Sequence, residues 1–226
     1  MIASSSLCPR ITAASARPAI SWRAAELLGL FVLLPLLLRW RVVAAPRLVV
    51  LALVTVGCIA ILWRDPGFDR SRLFYLGNLR GSLRTIGLRA VLAAAVISAL
   101  VLLLRPAAFL ALPRHEQTLW LAGLALYPFL SAWPQEVIFR VFFFHRYGPL
   151  FPSAAGLMAA DAAAFGFLHA IYPNAVAPLL SLPAGLLLAL TYRRTRSMGP
   201  VWLEHAIYGL LLFTLGLGEF FYDGRP

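Results

Sequence analysis

No lysine occurs among the 226 residues; all 20 cationic side chains are arginine. Acids are scarce as well, nine in all, which leaves a formal net charge of +11. Charged residues make up 13% of the chain, roughly half the share of an ordinary soluble domain, while 61% is hydrophobic. That balance excludes a water-soluble fold, because so much apolar surface has nowhere to go unless lipid is part of the solvent. Cysteine is limited to Cys8, in a polar stretch, and Cys58, inside an apolar run, where it is a small packing residue. Two such distant thiols exclude a disulfide framework and a cysteine metal site. No HExxH stretch is present, so a zinc-dependent hydrolase would need ligands from three separate helices. No basic patch sits on a soluble module, which argues against a nucleic-acid partner.

What remains is a series of about seven apolar runs, the pattern of an all-α polytopic membrane helix bundle. They cover Ala24–Leu38, Leu48–Trp63, Ala90–Leu104, Thr118–Phe144, Pro152–Tyr172, Val176–Tyr192 and Val201–Leu217. The organisation reads as a polar N-terminal tail over 1–23, a transmembrane domain over 24–218 and a short C-terminal tail over 219–226. The first tail is leader-like or a plain cytoplasmic extension. Between the second and third runs, the stretch from Arg64 to Arg89 reads as a basic loop. Its Leu73-Phe74-Tyr75-Leu76 segment is suited to lie on the membrane surface. The fourth run exceeds a ~30 Å hydrocarbon core and must tilt or kink, with Pro134 as the kink. Arginines are about twice as frequent on the face shared by the N-terminal tail, the Arg64–Arg89 loop, Arg146 and Arg193–Arg196. By the positive-inside rule that face is cytoplasmic.

Ionisable residues inside the late runs carry the functional signal. A charged side chain at a membrane helix centre costs roughly 2.5–3.5 kcal/mol by insertion scales. Glu136, Arg140, Asp161, His169, Glu204 and His205 all incur it. Glu136 and Arg140 stand four apart, so they share a helix face and pair. Phe165 and His169 are also four apart, and His205 has Tyr208 and Gly209 one turn on. Each histidine alone is as well explained by packing, and Asp161 by a buried, hydrogen-bonded carboxyl near the lipid surface. Yet an acid and two imidazoles on three spans satisfy one another most cheaply in a shared wet cavity. Carboxylate and imidazole around a water form a general base, and a second imidazole can donate to an oxyanion. Alternatives are a proton-coupled transporter, which normally shows repeated halves not seen here, and a catalytically inactive scaffold.

Three motifs then resemble one family. Gln135-Glu136-Val137-Ile138-Phe139-Arg140 is similar to the EExxxR motif of the CPBP family of CAAX proteases and bacteriocin-processing proteins. Phe165 to His169 resembles its FxxxH motif, and His205 to Gly209 its HxxxN motif, in order over a core of about 118–218. The resemblance implies an intramembrane glutamic endopeptidase without metal or cofactor. His169 would be the water-activating partner, His205 the oxyanion donor, and Arg140 the group orienting Glu136. Two positions depart: the first acid of the motif is Gln135, and its terminal Asn is Gly209. Tyr208 or Asn174 would then supply the missing donor, with Phe165 and Asp161 in support. The implied partners are membrane lipids and a membrane-anchored or membrane-embedded peptide substrate, prenylated or carrying a C-terminal sorting segment. The arginine-for-lysine usage and compact length suggest a bacterial inner membrane.

Overall fold

The computed structural model describes residues 22–222, and among these the regular structure is entirely helical. Seven helical runs succeed one another. Helix α1 covers 22–39 with a wide π turn at Gly29–Leu33, and α2 is Arg47–Arg64. Helix α3 is Leu79–Leu104, α4 is the continuous run 117–147, and α5 is Ala154–Leu168, extended by a 3-10 turn at His169–Ile171. Helix α6 is Val176–Thr195 and α7 is Met198–Leu215. Helices α2, α3, α5 with its turn, α6 and α7 are each long and apolar enough to cross a membrane. Most of the polar N-terminal tail lies outside the described residues.

The bundle is ordered by what each helix must hide. From Gln135 to Phe144 every residue of α4 is buried, so α4 is the central element. Around it pack Phe31 of α1, Leu62 of α2, Phe165 of α5, Leu188 and Tyr192 of α6, and Val201 of α7. Helices α2 and α3 instead leave Leu53, Val56, Leu88, Val91, Leu92 and Leu103 exposed to lipid. Helices α5 and α6 approach closely because small residues line their seam. A Cβ on Gly166 would meet Leu182 at 3.1 Å, and one on Gly185 would meet Phe165 at 3.0 Å.

Several boundaries differ from expectation. Helix α3 begins at Leu79, not Ala90, so Arg80, Arg84 and Arg89 belong to a helix and not to a loop. Arg89 reaches inward to Glu204, which a loop residue would have no reason to do. The break in α4 is spread over two π turns, Pro128–Ala132 and Val137–Phe142, flanking Pro134. Pro128 and Pro134 each remove an N–H from the ladder, and the wide turns accommodate the loss. The segment at Leu73–Leu76 leaves Phe74, Tyr75 and Leu76 exposed at the surface but is anchored there. Leu73 is fully buried, Phe74 stacks on Trp133, and the Tyr75 carbonyl accepts from the Ser197 hydroxyl and the Gly199 N–H. Residues 219 and 220 are also tied down, with Glu219 paired to Arg105 and the Phe220 carbonyl accepting from Asn174.

Candidate active site

Glu136 projects from α4 into the centre of the bundle and is completely buried. Its Oε1 lies 2.6 Å from Nδ1 of His205 on α7, and its Oε2 lies 3.2 Å from Nε of Arg140, one turn along α4. Arg140, also fully buried, donates from Nη1 to Asp161 of α5 at 2.5 Å and from Nη2 to the Gly185 carbonyl of α6 at 3.3 Å. One guanidinium therefore ties three helices together. Buried charges are tolerated when paired in this way. Asp161 thus belongs to this ionic core and lies away from the lipid surface, because Arg140 has two acids to bridge.

His169 occupies a different position. Its Nδ1 lies 2.8 Å from the Phe165 carbonyl, one turn back on α5. A carbonyl only accepts, so Nδ1 carries the proton and Nε2 keeps its lone pair. The Phe165 ring packs against both imidazoles, with its centroid 4.9 Å from that of His169 and 5.4 Å from that of His205, and the Arg140 guanidinium lies over it at 5.2 Å. His169 lines a cavity of about 110 Å3 between α1, α2, α4 and α5, with Gln135, Ser131 and Tyr172 as polar neighbours. Leu30, Phe31, Leu51, Val54, Ile138 and Phe139 form much of its apolar wall.

The adjacent residues Gln135 and Glu136 therefore face different surroundings, as the turn of about 100° per residue requires. Gln135 lines the cavity with His169, whereas Glu136 is turned away toward His205 and Arg140. The Gln135 amide donates to Ser131 Oγ at 2.9 Å, and its Oε1 is buried without a hydrogen-bond partner among the described residues. An acceptor beside an imidazole lone pair suits a small donor such as water.

Neither expected substitute for the missing asparagine is available. Tyr208 donates to Glu204 Oε1 at 2.7 Å, within a separate cluster in which Thr191 and Arg89 also bond Glu204. Asn174 donates to the Phe220 carbonyl and accepts from the Ala177 N–H, fixing the start of α6. Their side chains are committed to structure. A residue that sequence reasoning passed over stands there instead. A Cβ on Gly209 would coincide with the Cζ and Oη of Tyr127, which reaches across from α4. The Tyr127 ring is set edge-on to His205, with centroids 6.2 Å apart. The signal was in the chain as a pairing, a glycine at the motif's last position and a tyrosine two turns before Pro134, but their meeting required the fold.

Among the described residues no group of three metal-ligating side chains is found. Residues 116–211 match the family model described as type II CAAX prenyl endopeptidase Rce1-like, a span that contains Tyr127, Gln135, Glu136, Arg140, Asp161, His169 and His205 but not the α1 and α2 wall of the cavity. No curated protein and no solved structure matched the chain.

Proposed function

We propose, from the membership of the CPBP protease family that the Rce1-like match supports, that this membrane protein hydrolyses a peptide bond within or at the edge of the bilayer. The observation that carries the reading is the proton arrangement of the two histidines. His169 offers a free Nε2 lone pair on the cavity, and His205 is held by a buried carboxylate at 2.6 Å.

The chemistry follows from those positions. A water in the cavity donates one hydrogen bond to Gln135 Oε1, which orients it, and yields its other proton to His169 Nε2 as its oxygen attacks the scissile carbonyl carbon. Gln135 does not titrate, so it positions water and the imidazole is the base. The carbonyl oxygen becomes an oxyanion and accepts from His205 Nε2–H and from the Tyr127 hydroxyl. Glu136 stabilises the imidazolium form of His205 that donates, and Arg140 with Asp161 holds Glu136 in place. Collapse of the tetrahedral intermediate breaks the C–N bond. His169 returns its proton to the leaving amine, giving a free carboxyl and a free amine.

The test is mass-spectrometric cleavage of a library of single-span reporter polypeptides by the purified protein in lipid nanodiscs. His169→Ala should abolish cleavage and Glu136→Gln should lower kcat by at least tenfold, with chelator having no effect. Cleavage that persists in His169→Ala refutes the mechanism, and loss with chelator replaces it with a metal-dependent one. A second reading, a hydrolytically silent scaffold on the same fold, is favoured by one observation: an amide, Gln135, on the cavity where the motif has an acid. Absence of any wild-type cleavage supports it.

A further inference from the structure

The contacts sort the helix termini into two ends. At one end, Glu26 of α1 pairs with Arg146 of α4, and Asp65 after α2 with His145. There too Asn78 before α3 donates to the Thr195 carbonyl of α6, and Ser197 before α7 to the Tyr75 carbonyl. At the opposite end, Arg47 of α2 donates to the Ile171 carbonyl, Trp120 of α4 to Thr214 of α7, and Arg105 after α3 pairs with Glu219. Seven helices thus alternate in direction, and each end is defined by bonds, not by hydropathy.

Arginine is unequally shared between these ends. The first end holds Arg23, five arginines from Arg64 to Arg84, Arg146, and three from Arg193 to Arg196, ten in all. The other holds Arg39, Arg41, Arg47, Arg105 and Arg114. Ten against five makes the first end cytoplasmic. The cavity beside His169 lies toward the other. Its lining runs from Phe31 and Gln135, at mid-depth, to Leu38 at the end of α1, Arg47 at the start of α2, and Tyr172 just beyond α5. The terminal residues of the arginine-rich end are absent from it.

We infer that the cavity serves the non-cytoplasmic face of the membrane, so that the substrate is an exported polypeptide retained by an apolar membrane anchor. This rests on the endopeptidase reading and narrows it. A chain lipidated and retained on the cytoplasmic side would present its bond at the wrong end of the bundle. The apolar wall of the cavity, Leu30, Leu51, Val54 and Ile138 among it, suits an aliphatic substrate side chain, and about 110 Å3 accommodates one such group with water.

Two arms test this in bacterial cells expressing the full chain. In the first, a background with Cys8→Ala and Cys58→Ala receives either Val42→Cys, exposed at the arginine-poor end, or Asp69→Cys, exposed at the other. A membrane-impermeant maleimide should label the Val42→Cys protein in intact cells with an opened outer envelope, and the Asp69→Cys protein only after lysis. The reverse pattern overturns the inference whether or not hydrolysis is detected. In the second arm, one anchor carries a randomised segment on its outer or its cytoplasmic flank. Cleavage confined to the outer flank is expected. Cleavage confined to the cytoplasmic flank overturns this inference and leaves the endopeptidase reading standing. Failure to cut either flank instead removes the endopeptidase reading, with the labelling arm still deciding the face.

Discussion

Exchanging Tyr127 with Gly209 probes the site most directly. Removing the hydroxyl alone, in Tyr127→Phe, takes away one donor to the oxyanion. Loss of a single such donor lowers kcat by about 10²–10³-fold, and 10² corresponds to about 2.7 kcal/mol of transition-state stabilisation. We expect about 10²-fold with little change in KM, because the donor acts on charge that develops only in the transition state. Folding should be spared, because the ring and its packing stay in place and removing one hydroxyl costs about 1 kcal/mol. Gly209→Asn alone should fail differently. Its side chain would coincide with the Tyr127 ring, and overpacking of this kind typically costs about 1–3 kcal/mol. Combining Tyr127→Ala with Gly209→Asn clears the space and places an amide donor one turn from His205, so kcat should recover most of the loss. The assay is steady-state cleavage of a reporter in nanodiscs, with thermal unfolding of each variant in parallel. A Tyr127→Phe protein within twofold of wild-type kcat, or a double variant that folds but gains nothing over Tyr127→Ala, refutes the reasoning.

Three further outcomes follow from the ionic core and the cavity. Asp161→Ala leaves Arg140 with one acid fewer in a site without solvent, and should destabilise the protein by about 3–5 kcal/mol, read as a lowered thermal midpoint in detergent; an unchanged midpoint would mean the pair contributes nothing. Gln135→Glu puts a titrating group beside His169 and should raise kcat about tenfold or more, with a new acid limb in the pH profile; a loss of activity would show that the amide is required as such. At the membrane surface, the hydrogen bond with His145 and the Gly67 N–H hold the Asp65 carboxyl below its usual value. Its contribution to stability is present above the unfolded value of about 3.9 and is lost as pH falls through the lower folded value. Asp65→Asn should therefore flatten the fall in thermal midpoint between about pH 4 and pH 2, and an unchanged slope would count against the contact.

Much of the architecture was legible because lipid imposes a one-dimensional rule. Where water is absent the backbone must bond to itself, so long apolar runs become helices and their ends fall near arginine, tryptophan and proline. The seven runs and the pairing of Glu136 with Arg140 follow from spacing alone. The helical character of Leu79–Arg89 did not, because arginines on an exposed helix face look like a loop to hydropathy, and only Glu204 across the bundle explains Arg89. Tyr208 and Asn174 read as free donors for a related reason. A polar side chain near a motif counts as a free donor only until its own partner is known, and Glu204 and the Phe220 carbonyl stand far away in sequence.

The chain by itself determined that there is a membrane bundle, which six ionisable groups must find partners inside it, and that Gln135 and Glu136 point in directions about 100° apart. Local geometry is enough for all three. Tertiary structure alone decided which of the pair faces the cavity and which faces His205, that Asp161 shares Arg140, and that Tyr127 fills the space left by Gly209. Those are packing choices between helices, set by the rotation of each helix about its own axis, and the two π turns in α4 shift that rotation by amounts no repeat in the sequence records.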